Sequence, residues 1–342
     1  MTGFPEDTRA LDVWAAQHVE GYDGPSKASK FPTGQSNPTY RIDTPGASYV
    51  LRRKPLGKLL KSAHMVEREF RVLRALETAG FPAPRALALC EDESVAGSVF
   101  YLMAHVDGRI FWDPGMAGSS NAERAGVYDS MNAGLAQLHS VDIAAAGLSD
   151  YGKPGNYFAR QTQRWTEQYR ASETVKIADM DRLIDWLAAN MPPDDGRVSL
   201  VHGDFRIDNM IFAHDSTRLL AVLDWELSTL GHPFADLAYQ CMQWRLPNEG
   251  DFRGLAGLDR AALGIPSDEA YVADYCRRMG IASVPHWPFL IAFSFFRVAA
   301  IVQGVYKRAL DGNASNPQRG IKMGAGVPLM AKLAMEEAEK AA

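Results

Sequence analysis

The segment Leu200–Phe212, LVHGDFRIDNMIF, sets charged and amide side chains between apolar runs, and it constrains the fold more than any other stretch. A second apolar run, Leu219–Leu223, follows a polar turn, so the two runs are predicted to pair as a β-hairpin. That pairing brings Asn209 opposite Asp224 at the open end of the hairpin. Two oxygen donors there predict a compact site for a hard cation such as Mg²⁺. The carboxylate of Asp204 is left free to orient a hydroxyl.

Composition narrows the possible partners. The chain has 342 residues, is 46% hydrophobic and carries a formal net charge of −5, which indicates a globular protein without general attraction to nucleic acid or anionic membranes. Its three cysteines have no metal-binding spacing, and its first residues do not resemble a signal peptide, so a cytoplasmic location is expected. The apolar run 289–296 stops at Arg297, too short to span a membrane.

The pattern of elements changes along the chain. Runs 49–51 and 99–103 read as strands, and Val66, Phe70, Leu73 and Leu76 between them form one stripe of a helix. An α+β fold is predicted, with an N-terminal lobe at 1–106 and a mostly helical lobe at 107–342. Four helices are predicted in the second lobe: Val127–His139, Arg160–Tyr169, Tyr271–Met279 and Phe289–Val305.

The motifs HGDFRIDN, LDWE and GHPFADLAY resemble the aminoglycoside phosphotransferase and choline kinase family, relatives of the protein kinases. The resemblance implies a bilobal protein-kinase-like fold, a hinge at about 103–107 and an activity that depends on ATP and Mg²⁺. Asp204 matches the catalytic aspartate, while Asn209 and Asp224 match the metal ligands. Trp225 and Glu226 replace the Phe-Gly of the kinase DFG motif, and Glu226 is a candidate ligand for a second metal.

The resemblance also assigns the nucleotide site. Arg52 takes the place of the phosphate-binding lysine, and Glu69 is its ion-pair partner. If the motif is assigned out of register by a residue or two, these roles fall instead to the neighbouring residues Arg53, Lys54 and Glu67. The segment TGQSNPTY matches the phosphate-covering loop and VFYLMAHVDG the hinge behind the adenine, which adds five candidates: Ser36, Asn37, Met103 and the backbone of His105 and Val106.

Several residues near the catalytic loop are given secondary roles. Arg206 is predicted to contact the γ-phosphate, with a surface salt bridge as the alternative. Asp208 is expected to face solvent or to form a local cap. His202 is expected to brace the loop through a hydrogen bond, and Asp236 to accept hydrogen bonds from the loop backbone.

The acceptor is predicted from the segment 151–170, where four basic residues face one acidic residue. On a helix, Tyr157, Arg160 and Arg164 share a side, so they are candidates for binding an anionic substrate. The alternative is that the arginines are simply solvated.

The sequences GQSNPTY and YGKPGNYFARQTQRW resemble the branch of the family that some proteins fuse to an acyl-CoA dehydrogenase. That branch implies a hydroxyacyl-CoA as the hydroxylated acceptor and a separate acyl-CoA dehydrogenase as a partner. An aminoglycoside or small-amine-alcohol kinase remains the alternative within the class. Two other classes remain open: a nucleotide-binding regulatory module with little turnover, and a metal hydrolase with ligands His202, Asp204, His214 and Asp224.

Overall fold

The computed structural model describes residues 7–31, 37–56, 65–250, 252–313 and 316–340. Its N-terminal lobe is built on an antiparallel sheet of five strands in the order β1-β2-β3-β5-β4. The strands are β1 Lys27–Lys30, β2 Thr39–Asp43, β3 Ser48–Arg53, β4 Ala86–Cys90 and β5 Phe100–Ala104. The helices of this lobe are α1 Arg9–His18, α2 Val66–Thr78 and the short α3 Glu93–Ala96.

Helix α2 is the one predicted from the apolar stripe. Val66, Leu73 and Leu76 are buried on it, whereas Phe70 is partly buried. The helix packs on β4 and β5, and the chain then turns at Gly80, whose φ of 65° favours glycine. Strands β3 and β5 were predicted as well, and they pair in antiparallel register.

The C-terminal lobe is mostly helical, which confirms the predicted α+β, bilobal architecture. Its helices are α4 Asn121–His139, α5 Tyr157–Ser172, α6 Ala178–Ala189, α7 Phe234–Gln243, α8 Asp268–Met279, α9 Trp287–Leu310, α10 Pro317–Gly324 and α11 Val327–Glu339. Its strands are β6 Ser199–Val201, β7 Met210–Phe212, β8 Leu219–Val222 and β9 Thr229–Gly231. Short 3-10 turns follow at Ile207–Asn209 and Trp225–Leu227.

The hairpin and the four predicted helices of this lobe are confirmed. Met210 pairs with Val222 in the β7–β8 ladder, which sets the ends of the two strands side by side. Helix α4 begins earlier than predicted because Ser120 accepts a hydrogen bond from the Glu123 amide as an N-cap.

Helix α9 is the central element of the C-terminal lobe. It is the one helix among the described residues that is both long enough and apolar enough to cross a membrane. However, 72% of its most apolar stretch is buried inside the fold. It packs against α5, α7, α10 and α11, as the central helix of a folded core does.

The two lobes are joined where β5 ends. Residues 105–107 have no regular secondary structure, and Arg109 then exchanges backbone hydrogen bonds of 2.8 and 2.9 Å with Phe212. The connection is thereby tied directly to the β7–β8 hairpin. One apolar core lies between the sheet and α1, and a larger core extends from α2 and β5 into the helical lobe.

Candidate active site

The catalytic loop between β6 and β7 is held from beneath by Asp236 on α7. The carboxylate of Asp236 accepts hydrogen bonds from the backbone amides of His202, at 2.7 Å, and Gly203, at 2.8 Å. The Nε2 atom of His202 lies 2.8 Å from the carbonyl oxygen of Leu223, and its Nδ1 atom lies 3.1 Å from the backbone nitrogen of Asp204. The supporting roles predicted for Asp236 and His202 therefore agree with the structure.

Gly203 is required by the same arrangement. Its φ is 84°, and a Cβ at this position would stand 2.8 Å from the carbonyl oxygen of Leu227. A larger residue would be strained by its backbone angle and by this contact.

The carboxylate of Asp204 is oriented by two donors, one on each oxygen. The hydroxyl of Tyr239 donates to Oδ1, and Nδ2 of Asn209 donates to Oδ2 at 2.9 Å. Burial, and next the negative charge of Asp204, raise the pKa of Tyr239, so this phenol stays a proton donor. Each carboxylate oxygen keeps a second lone pair for a substrate hydroxyl.

Tyr239 was missed by sequence reasoning, although a signal existed. It lies three residues after Asp236 on α7, and residues with that spacing share a helix face. Once Asp236 is assigned to the underside of the catalytic loop, Tyr239 must approach the same loop.

Asn209 and Asp224 meet at the open end of the hairpin, as predicted. The Leu223 amide donates to the Asn209 carbonyl at 2.8 Å, which fixes the next residue, Asp224, beside Asn209. Asp224 has a φ of 64°, an uncommon conformation that aspartate tolerates better than most residues. Since Asn209 uses its amide nitrogen on Asp204, its amide oxygen is left for a cation.

This donor set fits Mg²⁺, because carboxylate and amide oxygens are the ligands of hard cations. Oxygen donors from one amide and one carboxylate are what Mg²⁺ takes from a protein when substrate phosphates supply further ligands. No group of three or more His, Cys, Asp or Glu side chains that could hold a metal occurs among the described residues. His214, a ligand in the hydrolase alternative, lies 3.2 Å from Asp107 instead.

Arg52 on β3 connects the two lobes through three carboxylates. Its Nε lies 2.6 Å from Oε2 of Glu69, and its Nη2 lies 2.8 Å from Oδ1 of Asp224 and 3.2 Å from Oε2 of Glu226. Burial opposes the charge on Arg52, but Asp224 and Glu69 outweigh it and raise its pKa. The structure thus brings together the predicted phosphate-binding residue, its partner and the predicted metal ligand.

The register alternatives are resolved by the same strand. Arg53 points to the other face of the sheet, where its Nη1 donates to the Ala96 carbonyl at 2.6 Å. Lys54 forms a separate ion pair with Glu67, which is about one-third exposed. The buried Arg52–Glu69 pair is therefore the one that reaches Asp224, the predicted metal ligand.

Asn37 has a different position from the one predicted. Its side chain is buried and donates from Nδ2 to Oε1 of Glu69 at 2.7 Å, so that its amide supports the ion pair rather than facing a phosphate. Tyr101, which sequence reasoning missed, lies 3.2 Å from the other oxygen of Glu69. Ser36 lies outside the described residues.

The structure limits which backbone groups of the predicted hinge can contact a base. Met103 is buried at the end of β5, as a residue behind an adenine pocket would be. The backbone amide of His105, however, donates to the Ser48 carbonyl at 3.3 Å, because the β3–β5 ladder continues past Ala104. That amide is not available to a base, whereas Val106 follows beyond the ladder.

Arg206 forms an ion pair with Asp208, two residues further on. Burial opposes its charge, but the attraction of Asp208 and then Asp204 raises its pKa above the ordinary value. The guanidinium is therefore close to the catalytic carboxylate while engaged in a salt bridge. The expectation that Asp208 simply faces solvent or caps a turn is wrong, since its side chain is held by Arg206.

The three acceptor candidates on α5 do not form one exposed face. Tyr157 is buried, with its ring over Gly231 and against Phe158, because α9 and β9 both cover the start of the helix. Arg160 donates to the carbonyls of Lys153 and Pro154 at 2.5 and 3.3 Å, so it ties down the preceding loop. Tyr157 is therefore not on an exposed face as the helical pattern suggested, whereas the role of Arg160 in binding an acceptor stays a prediction.

Arg164 is the acceptor candidate that remains exposed. Its guanidinium lies 5.3 Å from the ring centre of Trp165. No carboxylate lies within ion-pair distance of it in the described part of the chain. It is therefore available to an anion at the surface.

Comparison with known proteins identifies the class. The phosphotransferase enzyme family described as APH matches residues 27–277, and the chain belongs to this family. The fold and the family together make it a small-molecule phosphotransferase.

Individual relatives are of two kinds. The mouse protein named acyl-CoA dehydrogenase family member 10 is 52% identical over 294 residues, which are 86% of this chain and 27% of that relative. The chain thus spans about a quarter of that relative's length. A solved structure from Ralstonia eutropha, provisionally described as an aminoglycoside phosphotransferase, is 49% identical with a TM-score of 0.88 and covers 99% of both chains.

A more distant structure shows the fold alone. It is a thermostable mutant of the aminoglycoside phosphotransferase APH(4)-Ia in a ternary complex with AMP-PNP and hygromycin B. It is 15% identical, with a TM-score of 0.61 over 96% of this chain and 98% of its own.

Proposed function

We propose that the protein transfers the γ-phosphate of ATP to the hydroxyl of a small hydroxyacyl compound, in the presence of Mg²⁺. The observation that carries the transfer is the doubly oriented carboxylate of Asp204 beside Asn209 and Asp224. The complex of the distant relative with AMP-PNP supports ATP as the donor. When bound, Mg²⁺ would be held by Asn209 and Asp224 and would neutralise phosphate charge.

The chain's own residues position the two reactants. Arg52, fixed by Glu69, binds the phosphates, and Val106 offers a backbone amide to the base. Asp204 orients the acceptor hydroxyl and accepts its proton. The hydroxyl oxygen then forms a bond to the γ-phosphorus, the bond from that phosphorus to the β,γ-bridging oxygen breaks, and ADP leaves with the electron pair.

The acceptor class rests on two observations. One is the similarity to a longer protein named acyl-CoA dehydrogenase family member 10, a name that points to acyl-CoA compounds. The other is the exposed guanidinium of Arg164, which has no ion-pair partner among the described residues and is available to an anionic group. We therefore favour a hydroxyacyl-CoA or related hydroxy acid, with a separate acyl-CoA dehydrogenase as the partner that uses the product.

An aminoglycoside kinase is the second candidate, and the Ralstonia eutropha relative favours it. The test is to incubate the purified protein with ATP and Mg²⁺ and a panel of hydroxyacyl-CoAs, hydroxy acids, aminoglycosides and choline. Mass spectrometry would detect phosphate gain on each acceptor. We expect phosphorylated hydroxyacyl compounds only, and no product when Mg²⁺ is chelated.

Other outcomes assign the protein differently. Phosphate on cationic acceptors alone would overturn the acceptor proposal and keep the kinase. Nucleotide binding without any product would favour the regulatory module.

A further inference from the structure

Arg297 is a buried cation in the most apolar helix of the protein. It lies in the middle of α9, is 6% exposed, and is flanked along the helix by buried phenylalanine and alanine residues. The structure buries four arginines among the residues it describes: Arg52, Arg53, Arg124 and Arg297. The first three have carboxylate or carbonyl partners. Within the described part of the chain, Arg297 has no ion pair or hydrogen bond, and its Cζ lies 6.0 and 5.8 Å from the ring centres of Trp165 and Tyr239.

A guanidinium in such a place is costly to the folded protein. Removing an ion from water without a partner is unfavourable, and aromatic faces return only part of that cost. A methionine or leucine would fill the same space without that cost. The arginine is therefore best explained by a negative or strongly accepting group that arrives with a ligand.

The surroundings of Arg297 show where that ligand would be. Its Nη2 lies 3.0 Å from the point where a Cβ on Gly203 would stand, so the guanidinium reaches the catalytic loop one residue before Asp204. Tyr239 lies between them, since its ring faces Arg297 and its hydroxyl donates to Asp204. Asp204 and Arg297 are thus separated by about one tyrosine side chain.

We propose that Arg297, between the rings of Trp165 and Tyr239, binds the acyl oxygen of the acceptor whose hydroxyl is held by Asp204. This inference rests on the proposed function. A carboxylate or a thioester carbonyl fits because guanidinium donates two parallel hydrogen bonds to oxygen. The short separation requires the acyl carbon to lie only a few bonds from the reacting hydroxyl. A group with a second positive charge there would be repelled.

The first test compares acceptors rather than overall activity. Arg297→Met and the control Arg308→Met, an exposed position on the same helix, are assayed with a hydroxy acid or hydroxyacyl thioester and with the matching diol. For Arg297→Met we expect KM for both acyl acceptors to rise about tenfold to a hundredfold, while KM for the diol and for ATP changes little. Arg297→Lys should recover part of the loss.

The acceptor pair also separates the two sources of the acyl oxygen. A larger effect on the free acid assigns the site to a carboxylate, and a larger effect on the thioester assigns it to the carbonyl. Equal changes with acyl acceptors and diol, or a change confined to ATP, would overturn the proposal.

Thermal unfolding distinguishes ligand binding from a structural role. If Arg297 gains its partner only when a ligand binds, Arg297→Met should raise the Tm of the ligand-free protein or leave it unchanged. If Arg297 instead holds the catalytic loop, the same substitution should lower Tm, and the proposal fails.

A measurement on the natural chain covers the case in which the variant does not fold. Short-chain acids that lack the hydroxyl should raise Tm at lower concentrations than the corresponding amides and alcohols. Equal effects of all three would refute the acyl-oxygen site. A protein that binds the acids but phosphorylates nothing would keep this site and refute the proposed function.

Discussion

The guanidinium of Arg52 lies 2.8 Å from the carboxylate of Asp224, although 172 positions separate them in the chain. Arg52 is on the sheet of the N-terminal lobe, and Asp224 follows the hairpin of the C-terminal lobe. The contact brings a predicted phosphate-binding cation to a predicted metal ligand. It also means that phosphate and Asp224 must share or exchange this arginine when a nucleotide binds.

Asp204→Asn tests the catalytic assignment. The amide keeps the shape of the side chain but cannot accept the hydroxyl proton, so we expect kcat to fall about a hundredfold to ten-thousandfold. Nucleotide binding, measured by calorimetry, should remain. Asp215→Asn, in the exposed hairpin turn, serves as the control. Near-normal turnover of Asp204→Asn would contradict the assignment.

Glu69→Gln tests the buried ion pair. The amide cannot balance the charge of Arg52, which should then be drawn toward Asp224 and Glu226 and away from phosphate. We expect KM for ATP to rise about tenfold. Glu67→Gln, which affects the more exposed pair with Lys54, should have a smaller effect. A larger effect at Glu67 would mean that the assigned register is wrong.

Tyr239→Phe tests the hydrogen bond to Asp204. Loss of a donor to a charged group should lower kcat about tenfold while KM for ATP stays constant. Tyr128→Phe removes another buried hydroxyl, which donates to the Pro114 carbonyl at 2.7 Å, and should change stability but not kcat. Equal kcat values for the Tyr239 variant and the natural protein would show that Asn209 alone orients the carboxylate.

Asp236 should make the protein sensitive to acid. Burial acts to raise the pKa of Asp236, but hydrogen bonding from His139 and the catalytic-loop amides outweighs it, so the pKa is lowered. Because the pKa is lower in the folded state, the ionised carboxylate stabilises the fold at pH values above its unfolded-state pKa of about 4. This stabilisation is lost as the pH falls through the folded-state pKa.

Urea unfolding at a series of pH values measures this contribution. Asp236→Asn should destabilise the protein by about 3 kcal/mol at neutral pH and make stability less dependent on pH below about 4. Asp185→Asn, at an exposed position of α6, is the control. An unchanged acid profile in the Asp236 variant would assign the effect to other carboxylates.

The parts of the site that the sequence predicted are those determined by local pairing. The β7–β8 hairpin follows from two apolar runs and a polar turn, and it alone brings Asn209 to Asp224. Arg52 and Glu69 are recognisable because a strand and the following helix must pack together. These relationships need no knowledge of distant elements.

The parts that were missed depend on how helices pack around one another. Tyr157 was assigned to an exposed face because the pattern of α5 alone does not reveal that α9 and β9 cover its first turn. Arg297 was noticed only as the end of an apolar run, since its neighbours Trp165 and Tyr239 come from two other helices. Asn37 turns inward because Glu69, far along the chain, offers it an acceptor.

The attachment of the catalytic loop to α7 has a consequence for how this protein can diversify. Asp236 of α7 holds the loop, together with His139 of α4 at 3.5 Å, whereas the acceptor candidate Arg164 lies on α5 and the proposed acyl-binding residue Arg297 lies on α9. Substitutions on α5 or α9 can therefore alter which alcohol is accepted without moving the backbone that performs the transfer. The reaction and the choice of acceptor are separable traits in this architecture.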